Sequence, residues 1–228
     1  MSKGIFITGT GTDVGKTYVT GLIVKKLRSS DINAGYYKPA LSGAEFVGGK
    51  LIPGDCKFVA DIAGLPIPPQ ALTSYMYEPA VSPHLAAQIE HRPIEPDVIL
   101  ADFIKFSRQH DFITVEGCGG IVCPLRLDDK ILMQTDIIKL LNLDLLIVSS
   151  AELGSINSAV LTVRYAESLG ITVNGLILNN YDDTNFLHKD NRNSIQRITK
   201  LPVVACVACH AAHLDMETTA LCNLYKEV

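Results

Sequence analysis

Residues 9 to 17 read GTGTDVGKT. The ending Gly15-Lys16-Thr17 is that of a loop that wraps phosphate. Backbone N–H groups converge on phosphate oxygens, Lys16 reaches the outer phosphates, and the Thr17 hydroxyl is offered to Mg²⁺. The usual pattern places four residues between its first glycine and Gly-Lys-Ser/Thr. Here that first position is Thr10, and the nearest upstream glycine in the right context, Gly9, stands one residue too early. The apolar run Ile5–Thr8 precedes the loop and a helical spacing over Thr17–Leu27 follows it. Strand, glycine turn and helix N-terminus together make an anion site, which an incidental lysine in a turn would not need.

Three more residues have types that a phosphate site uses. Glu116 lies in the string Glu116-Gly117-Cys118-Gly119-Gly120, and Asp55 follows Pro53-Gly54. Mg²⁺ takes oxygen ligands, usually with one or two carboxylates, so Glu116 and Asp55 join Thr17 as candidate ligands. The glycines beside Glu116 imply that something approaches the backbone closely. Asp55 taken alone reads equally well as a helix cap. Lys38 precedes Pro39, which keeps it extended. A second lysine near the γ-phosphate stabilises charge on a transferring phosphoryl group; without the rest of the site it would be a solvated lysine.

These residues need elements to hold them. Apolar runs at Ile5–Thr8, Ala34–Tyr37, Phe112–Val115, Leu145–Val148, Val173–Leu178 and Val203–Val207 read as strands, the second stopped by Pro39. Helical spacing marks Thr17–Leu27, Val98–Phe106, Ile137–Leu141, Ile156–Leu169 (ended by Gly170), Asn191–Thr199 and a last helix after Asp215 that closes the chain. Strands alternating with helices predict an α/β fold, a mostly parallel sheet with helices on both faces, in one domain over residues 1–228. About 40–55 and the proline-rich 66–96 break the alternation and read as long functional loops. Lys38, Glu116, Asn179 and the glycine loop all fall at carboxyl ends of strands, where open parallel sheets bind ligands.

The chain has 228 residues, 47% hydrophobic and 19% charged, with a net charge of −4. No Lys/Arg block stands out, which argues against nucleic acid or an anionic membrane as partner. No apolar run reaches membrane-spanning length and none precedes the glycine loop as a signal segment. A soluble cytoplasmic protein is expected, its six cysteines reduced. CVACH (206–210) matches a haem-attachment pattern, and Cys206 and Cys209 with His210 and His213 could hold zinc. Cys206 falls inside an expected buried strand, so it reads as a packing residue, as do Cys118 and Cys123. His84 reads as a loop-ordering residue.

In order along the chain stand GTGTDVGKT (9–17), YKPALSG (37–43), Asp55, EPAVSPH (78–84), RPIEP (92–96), VEGCGG (115–120), LGSIN (153–157) and Asn179-Asn180. Nearly over its whole length the chain thereby resembles the dethiobiotin synthetases, ATP-dependent ligases of biotin biosynthesis with a P-loop NTPase-like fold. That family's phosphate loop carries the longer spacing noted above. The resemblance implies ATP as co-substrate, Mg²⁺ as cofactor, and 7,8-diaminononanoate with CO₂ or bicarbonate as substrates. One amine becomes a carbamate, the carbamate takes the γ-phosphoryl group, and the second amine displaces phosphate to close a ureido ring.

Carried over by motif position, Asp13, Val14, Gly15, Lys16, Thr17 and Tyr18 cradle the phosphates. Thr17, Asp55 and Glu116 hold Mg²⁺, and Lys16 and Lys38 are catalytic. Gly117, Cys118 and Gly119 continue the ATP site, and Asn179, Asn180, Val207 and Ala208 lie at the nucleobase. Thr12 and Ser42 contact the diamine or carbamate. The family is a homodimer in which a helix N-terminus, here Gly154–Asn157 with Ser155 and Asn157, meets the substrate carboxylate of the neighbouring subunit. Two positions depart from the family. Glu152 replaces a lysine or arginine, and Ala205-Cys206-Val207-Ala208 replaces a Gly-x-Ile/Val-Pro turn. A reading of a different class is a nucleotide-switch ATPase of the partitioning or iron-protein type. Those carry a lysine early in the loop, where this chain has Gly9, Thr10 and Gly11. Amide-forming relatives from corrin biosynthesis would bring a glutaminase domain.

Overall fold

Ile5, Phe6 and Ile7 are all buried, yet they enter different cores. Successive strand residues point to opposite faces. Ile5 and Ile7 pack with Val19, Leu22, Ile23 and Leu27, while Phe6 packs with Ile99, Phe103, Ile137 and Val163. A strand covered on both faces is the mark of a parallel sheet between helical layers.

The computed structural model describes residues 2–228. In chain order the elements are β1 (Lys3–Gly9), α1 (Lys16–Arg28), β2 (Ala34–Leu41), β3 (Glu45–Val47), β4 (Lys50–Ile52), α2 (Gly54–Ala63), β5 (Thr73–Met76), α3 (Pro83–Ile89), α4 (Pro96–Ser107), β6 (Phe112–Gly120), β7 (Pro124–Leu127), β8 (Ile131–Met133), α5 (Gln134–Leu140), β9 (Leu145–Ser150), α6 (Ser155–Ser168), β10 (Val173–Asn179), α7 (Phe186–Thr199), β11 (Val203–Val207), α8 (Thr218–Cys222) and β12 (Lys226–Glu227). The main sheet runs β11-β10-β9-β1-β6-β2-β5, with those strands parallel. β12 joins antiparallel to the start of β1, below the level at which β9 begins to pair. From β1 the chain first builds toward β5 and then crosses to β9, so the sheet order reverses around β1. Crevices for ligands open at such points, beyond the carboxyl ends.

α1 shows how the layers hold. Val19, Leu22, Ile23 and Leu27 follow helical spacing and are almost fully buried. Each contributes roughly 1.5–3 kcal/mol by leaving water. α1 and α2 cover one face; α4, α5, α6 and α7 cover the other.

The expected mostly parallel, two-faced sheet is present. Several local expectations need correction. Pro39 does not end the second strand: β2 continues to Leu41. It pairs with β6 through Tyr37 and with β5 from Lys38 onward, so the proline without an N–H sits where the strand changes partner. The third strand runs through Glu116 to Gly120, bulging where Gly120 meets Gly9. Residues 40–55 are not one loop but hold the β3–β4 hairpin, turned at Gly48 and Gly49 with φ of 59° and 77°. The segment 66–96 supplies edge strand β5 and helix α3. α7 starts at Phe186, where the Asn185 side chain caps it by accepting from the Leu187 N–H. The last helix spans only Thr218–Cys222, and β12 follows it. Among the described residues no helix is long and apolar enough to cross a membrane.

Candidate active site

The phosphate loop leaves β1 at Gly9, and the Thr10 N–H donates to the Val148 carbonyl at 2.9 Å. α1 begins at Lys16 behind Gly15, which has φ 88°. A Cβ on Gly15 would lie 2.0 Å from Asn179 Nδ2. Only glycine fits both the left-handed backbone and the close approach. Lys16 is buried and its ammonium donates to the Gly11 carbonyl at 2.9 Å. Burial pushes the Lys16 pKa down, and the nearby positive charge of Lys38 adds to that.

Beside the loop stands a compact charged cluster. Glu116 is fully buried in β6. Its Oε1 accepts from Thr17 Oγ1 at 2.7 Å and from Lys38 Nζ at 2.8 Å, and its Oε2 accepts from Tyr36 OH at 2.9 Å. Lys38 Nζ also lies 2.8 Å from Asp55 Oδ2, at the N-terminus of α2, and donates to the Gly117 carbonyl at 3.3 Å. Burial pushes the Lys38 pKa down, but Glu116 and Asp55 outweigh it and hold the ammonium charged well above its ordinary range. Lys38 in turn holds the Asp55 carboxyl below the usual carboxylate range, against burial. Removing one partner of a buried pair such as Lys38–Glu116 typically costs about 3–5 kcal/mol. Burial, reinforced by Glu116, raises the Tyr36 phenol well above its ordinary value, so it stays a donor.

A polar brace stands behind the cluster. Gln134, at the start of α5, accepts from the Cys118 N–H at 2.6 Å and donates to Thr8 Oγ1 at 3.1 Å and the Gly120 carbonyl at 3.2 Å. It thus ties β6 to β1 where the two strands bulge apart. Tyr36 and Gln134 are the residues that sequence reasoning missed. Tyr36 carried a signal, since it shares a strand face with Lys38 at a spacing of two. Gln134 carried none.

The cluster forms the floor of a cavity of about 850 Å³, whose other walls include Leu41, Val122 and Pro124. Its lining combines these charged groups with apolar residues, and its volume lies in the range of ligand sites. Thr17, Asp55 and Glu116 offer only oxygen and all reach one ammonium or its carboxylate partner, a donor set that suits Mg²⁺.

A family model described as an AAA domain matches residues 3–212. A protein of Clostridium botulinum (strain Alaska E43 / Type E3) called ATP-dependent dethiobiotin synthetase BioD is 51% identical over 206 residues, covering 90% of this chain and 91% of the relative. One of the same name from Clostridium botulinum (strain 657 / Type Ba4) is 45% identical over 228 residues, covering 100% of both. The chain belongs to the dethiobiotin synthetase family. It also carries the AAA domain of that model, and as a family member it is an ATP-dependent ligase. Among solved structures, a ParA family ATPase from Chlorobium tepidum TLS has a TM-score of 0.57 at 14% identity, covering 98% of this chain and 90% of that one. The Aquifex aeolicus MinC:MinD cell division complex gives 0.56 at 17%, covering 91% and 81%. At such identities these two show the shared P-loop fold alone.

Of the positions that matched synthetase motifs, the cavity gathers Thr12, Asp13, Gly15 to Thr17, Lys38, Ser42, Asp55 and Glu116 to Gly119. The Ser42 hydroxyl donates to the Val81 carbonyl. The Val14 carbonyl faces away and accepts from Asn179 Nδ2 at 3.2 Å. The Tyr18 hydroxyl turns from the loop to the Ala211 carbonyl. A second group forms where β10 and β11 end: Asn179 pairs with Val207 in register, Asn180 has φ 54°, and Ala208 follows. Asn179 Oδ1 is buried without a partner. Ser155 and Asn157 lie on the first turn of α6, outside the cavity lining. Ser155 Oγ is likewise buried and unpartnered.

Val81, Ser82 and Pro83 line the cavity, and Glu95 pairs with Arg126, which also binds Asp128 at 2.7 Å and Asp129 at 2.8 Å to brace β7. His84 sits on α3 rather than in a loop, its Nδ1 without a hydrogen-bond partner. Glu152 is exposed, with Oε1 3.4 Å from His188 Nε2. Cys206 is half-buried in β11 and Cys209 is exposed, and among the described residues no three His, Cys, Asp or Glu side chains are grouped to hold a metal.

Proposed function

We propose that the chain, as one catalytic domain over residues 1–228, closes the ureido ring of dethiobiotin from 7,8-diaminononanoate, CO₂ and ATP, with Mg²⁺ and as a cytoplasmic homodimer. The observation that carries this reading is the Lys38–Glu116–Asp55–Thr17 cluster beside the phosphate loop, in a cavity that apolar residues also line. A triphosphate suits the charged groups and an aliphatic diamine the apolar ones. The relatives called dethiobiotin synthetase are 42–51% identical to this chain, whereas the ATPases of solved structure share the fold at 14–17% identity.

No enzyme nucleophile is needed. One amine of the substrate adds to CO₂ and loses a proton, giving a carbamate. A carbamate oxygen attacks the γ-phosphorus, and the bond to the β–γ bridging oxygen breaks, releasing ADP. The second amine attacks the carbamoyl carbon, phosphate leaves and the ring closes with loss of a proton. The chain's task is positioning and charge neutralisation. Lys16 meets the outer phosphates and Lys38 the carbamate and transferring phosphoryl group. Thr17, Asp55 and Glu116 would hold Mg²⁺, which supplies charge neutralisation at the phosphates. Thr12 and Ser42 orient the diamine, while Gly117, Cys118 and Gly119 line the ATP side. Asn179, with its free buried Oδ1, fits a base amino group, with Asn180, Val207 and Ala208 around it. Ser155 and Asn157 at the α6 N-terminus, a favourable place for an anion, take the carboxylate of the partner's substrate.

The test supplies diaminononanoate, bicarbonate, Mg²⁺ and ATP and follows ADP together with the ureido product. ADP release that requires the diamine and matches product one to one is expected. ADP release indifferent to the diamine would sink the ligase reading and favour a nucleotide switch.

A further inference from the structure

Protein groups alone fully engage Lys38. Its ammonium has three protons and three acceptors: Asp55 Oδ2 at 2.8 Å, Glu116 Oε1 at 2.8 Å and the Gly117 carbonyl at 3.3 Å. The two carboxylates come from different elements, α2 and β6, and the ammonium bridges them. The cluster's charges also cancel. Lys16 and Lys38 are opposed by Asp55 and Glu116, so the set is neutral. A divalent cation added to this set would leave two uncompensated positive charges at a site where Glu116 is fully buried and Lys38 nearly so. Buried unpaired charge is strongly disfavoured.

We propose that Lys38 is a built-in counter-ion that occupies the cation position between Asp55 and Glu116 until phosphate draws it away, so that a divalent cation enters only together with nucleotide. The proposal rests on the reading that this cluster serves Mg²⁺ and ATP. A triphosphate brings the negative charge that balances a divalent ion, and it offers oxygens that replace the acceptors both lysines now use, including the Gly11 carbonyl under Lys16. Lysine suits the role because its stem is flexible and its charge compact. An arginine fork would hold both carboxylates too firmly to leave.

The experiment needs neither ATP nor substrate. Mn²⁺ binding to the nucleotide-free protein is measured by electron paramagnetic resonance for the wild type, Lys38→Met and Lys38→Met/Asp55→Asn. Lys38→Met should bind Mn²⁺ at least about tenfold more tightly than the wild type, and the second substitution should abolish the gain. Equal affinity in wild type and Lys38→Met would overturn the proposal. Should Lys38→Met be recovered only unfolded, it is refolded with and without Mn²⁺. Recovery that rises with Mn²⁺ supports the counter-ion role; recovery that ignores Mn²⁺, while the wild type refolds, overturns it. The two readings fail separately. A wild type that makes no ureido product defeats the ligase reading, whereas product from a wild type whose Lys38→Met variant gains no Mn²⁺ affinity defeats this inference alone.

Discussion

Gly15 meets two demands at once: a left-handed backbone at φ 88° and a contact with Asn179 that leaves no room for a Cβ. Gly15→Ala would cost roughly 1–2 kcal/mol in backbone strain alone, and it would push Asn179 off the Val14 carbonyl. We expect lower thermal stability and at least about tenfold weaker ATP binding by calorimetry. Gly15→Ala/Asn179→Ala should lose less stability than the two single changes summed; strict additivity would show that the two residues do not compete for space. At this scale the sequence was readable where a reactive side chain sat beside punctuation. Lys16, Lys38, Asp55 and Glu116 all adjoin glycine or proline, Thr17 completes the Gly-Lys-Thr ending, and the fold brings them together. Gln134 has no such neighbour, and Tyr36, although it follows Gly35, carries no side chain that reads as reactive. Their roles come from facing Glu116 and the β1–β6 bulge, which only tertiary packing creates.

α1 presents Lys16 and Thr17 at its first turn, and α2 presents Asp55 at its own. The gap between these helices therefore sets the distance between the phosphate loop and the second carboxylate. Gly21 governs that gap, since a Cβ there would lie 2.6 Å from Ile62 Cγ2 and 3.3 Å from Phe58 Cε1. Two effects oppose each other in Gly21→Ala. Alanine favours the helix by about 1 kcal/mol, while overpacking typically costs about 1–3 kcal/mol. The branched Ile62 cannot swing aside cheaply, so overpacking wins. A lower urea midpoint is expected, and Ile62→Ala in the same chain should recover part of it. A stabilised Gly21→Ala would show that α2 moves freely. The helices α1, α4 and α6 and the central strands were legible because their apolar spacing is unambiguous, whereas α2 and the first residues of α7 were not read as helix. The hairpin β3–β4, the edge strand β5 and the two-residue β12 were not. Each is short, and each exists because a neighbour offers it an edge. Likewise β2 outlives Pro39 because it changes partner there, which no local pattern announces.

At the scale of the whole molecule, buried phenols and thiols make stability sensitive to alkali. Tyr37 and Tyr77 lie in one core, Tyr225 in the other, and Cys123 beside the cavity. Burial pushes the pKa of Tyr37, Tyr77 and Tyr225 well above the ordinary tyrosine value, and that of Cys123 up to about 12. Unfolded, these groups ionise near their ordinary values, about 8.5 for cysteine and about 10 for tyrosine. Between the two pKa values the unfolded chain binds fewer protons than the native one, so the free energy of unfolding falls as pH rises. Each group's contribution is complete below its unfolded pKa and is lost on the way up to its folded pKa. The loss is at most about 1.4 kcal/mol per pH unit for each group. Urea midpoints should thus decline from about pH 8 to about pH 11, steepening once tyrosine joins cysteine near about pH 10. Tyr225→Phe gives up the hydrogen bond to Thr114 Oγ1, 2.7 Å in length, and so starts lower at neutral pH. Its decline above about pH 10 should nonetheless be shallower than that of the wild type. A wild-type midpoint that stays level across this range, or a Tyr225→Phe slope as steep as the parent's, would show that these rings reach water before the fold opens.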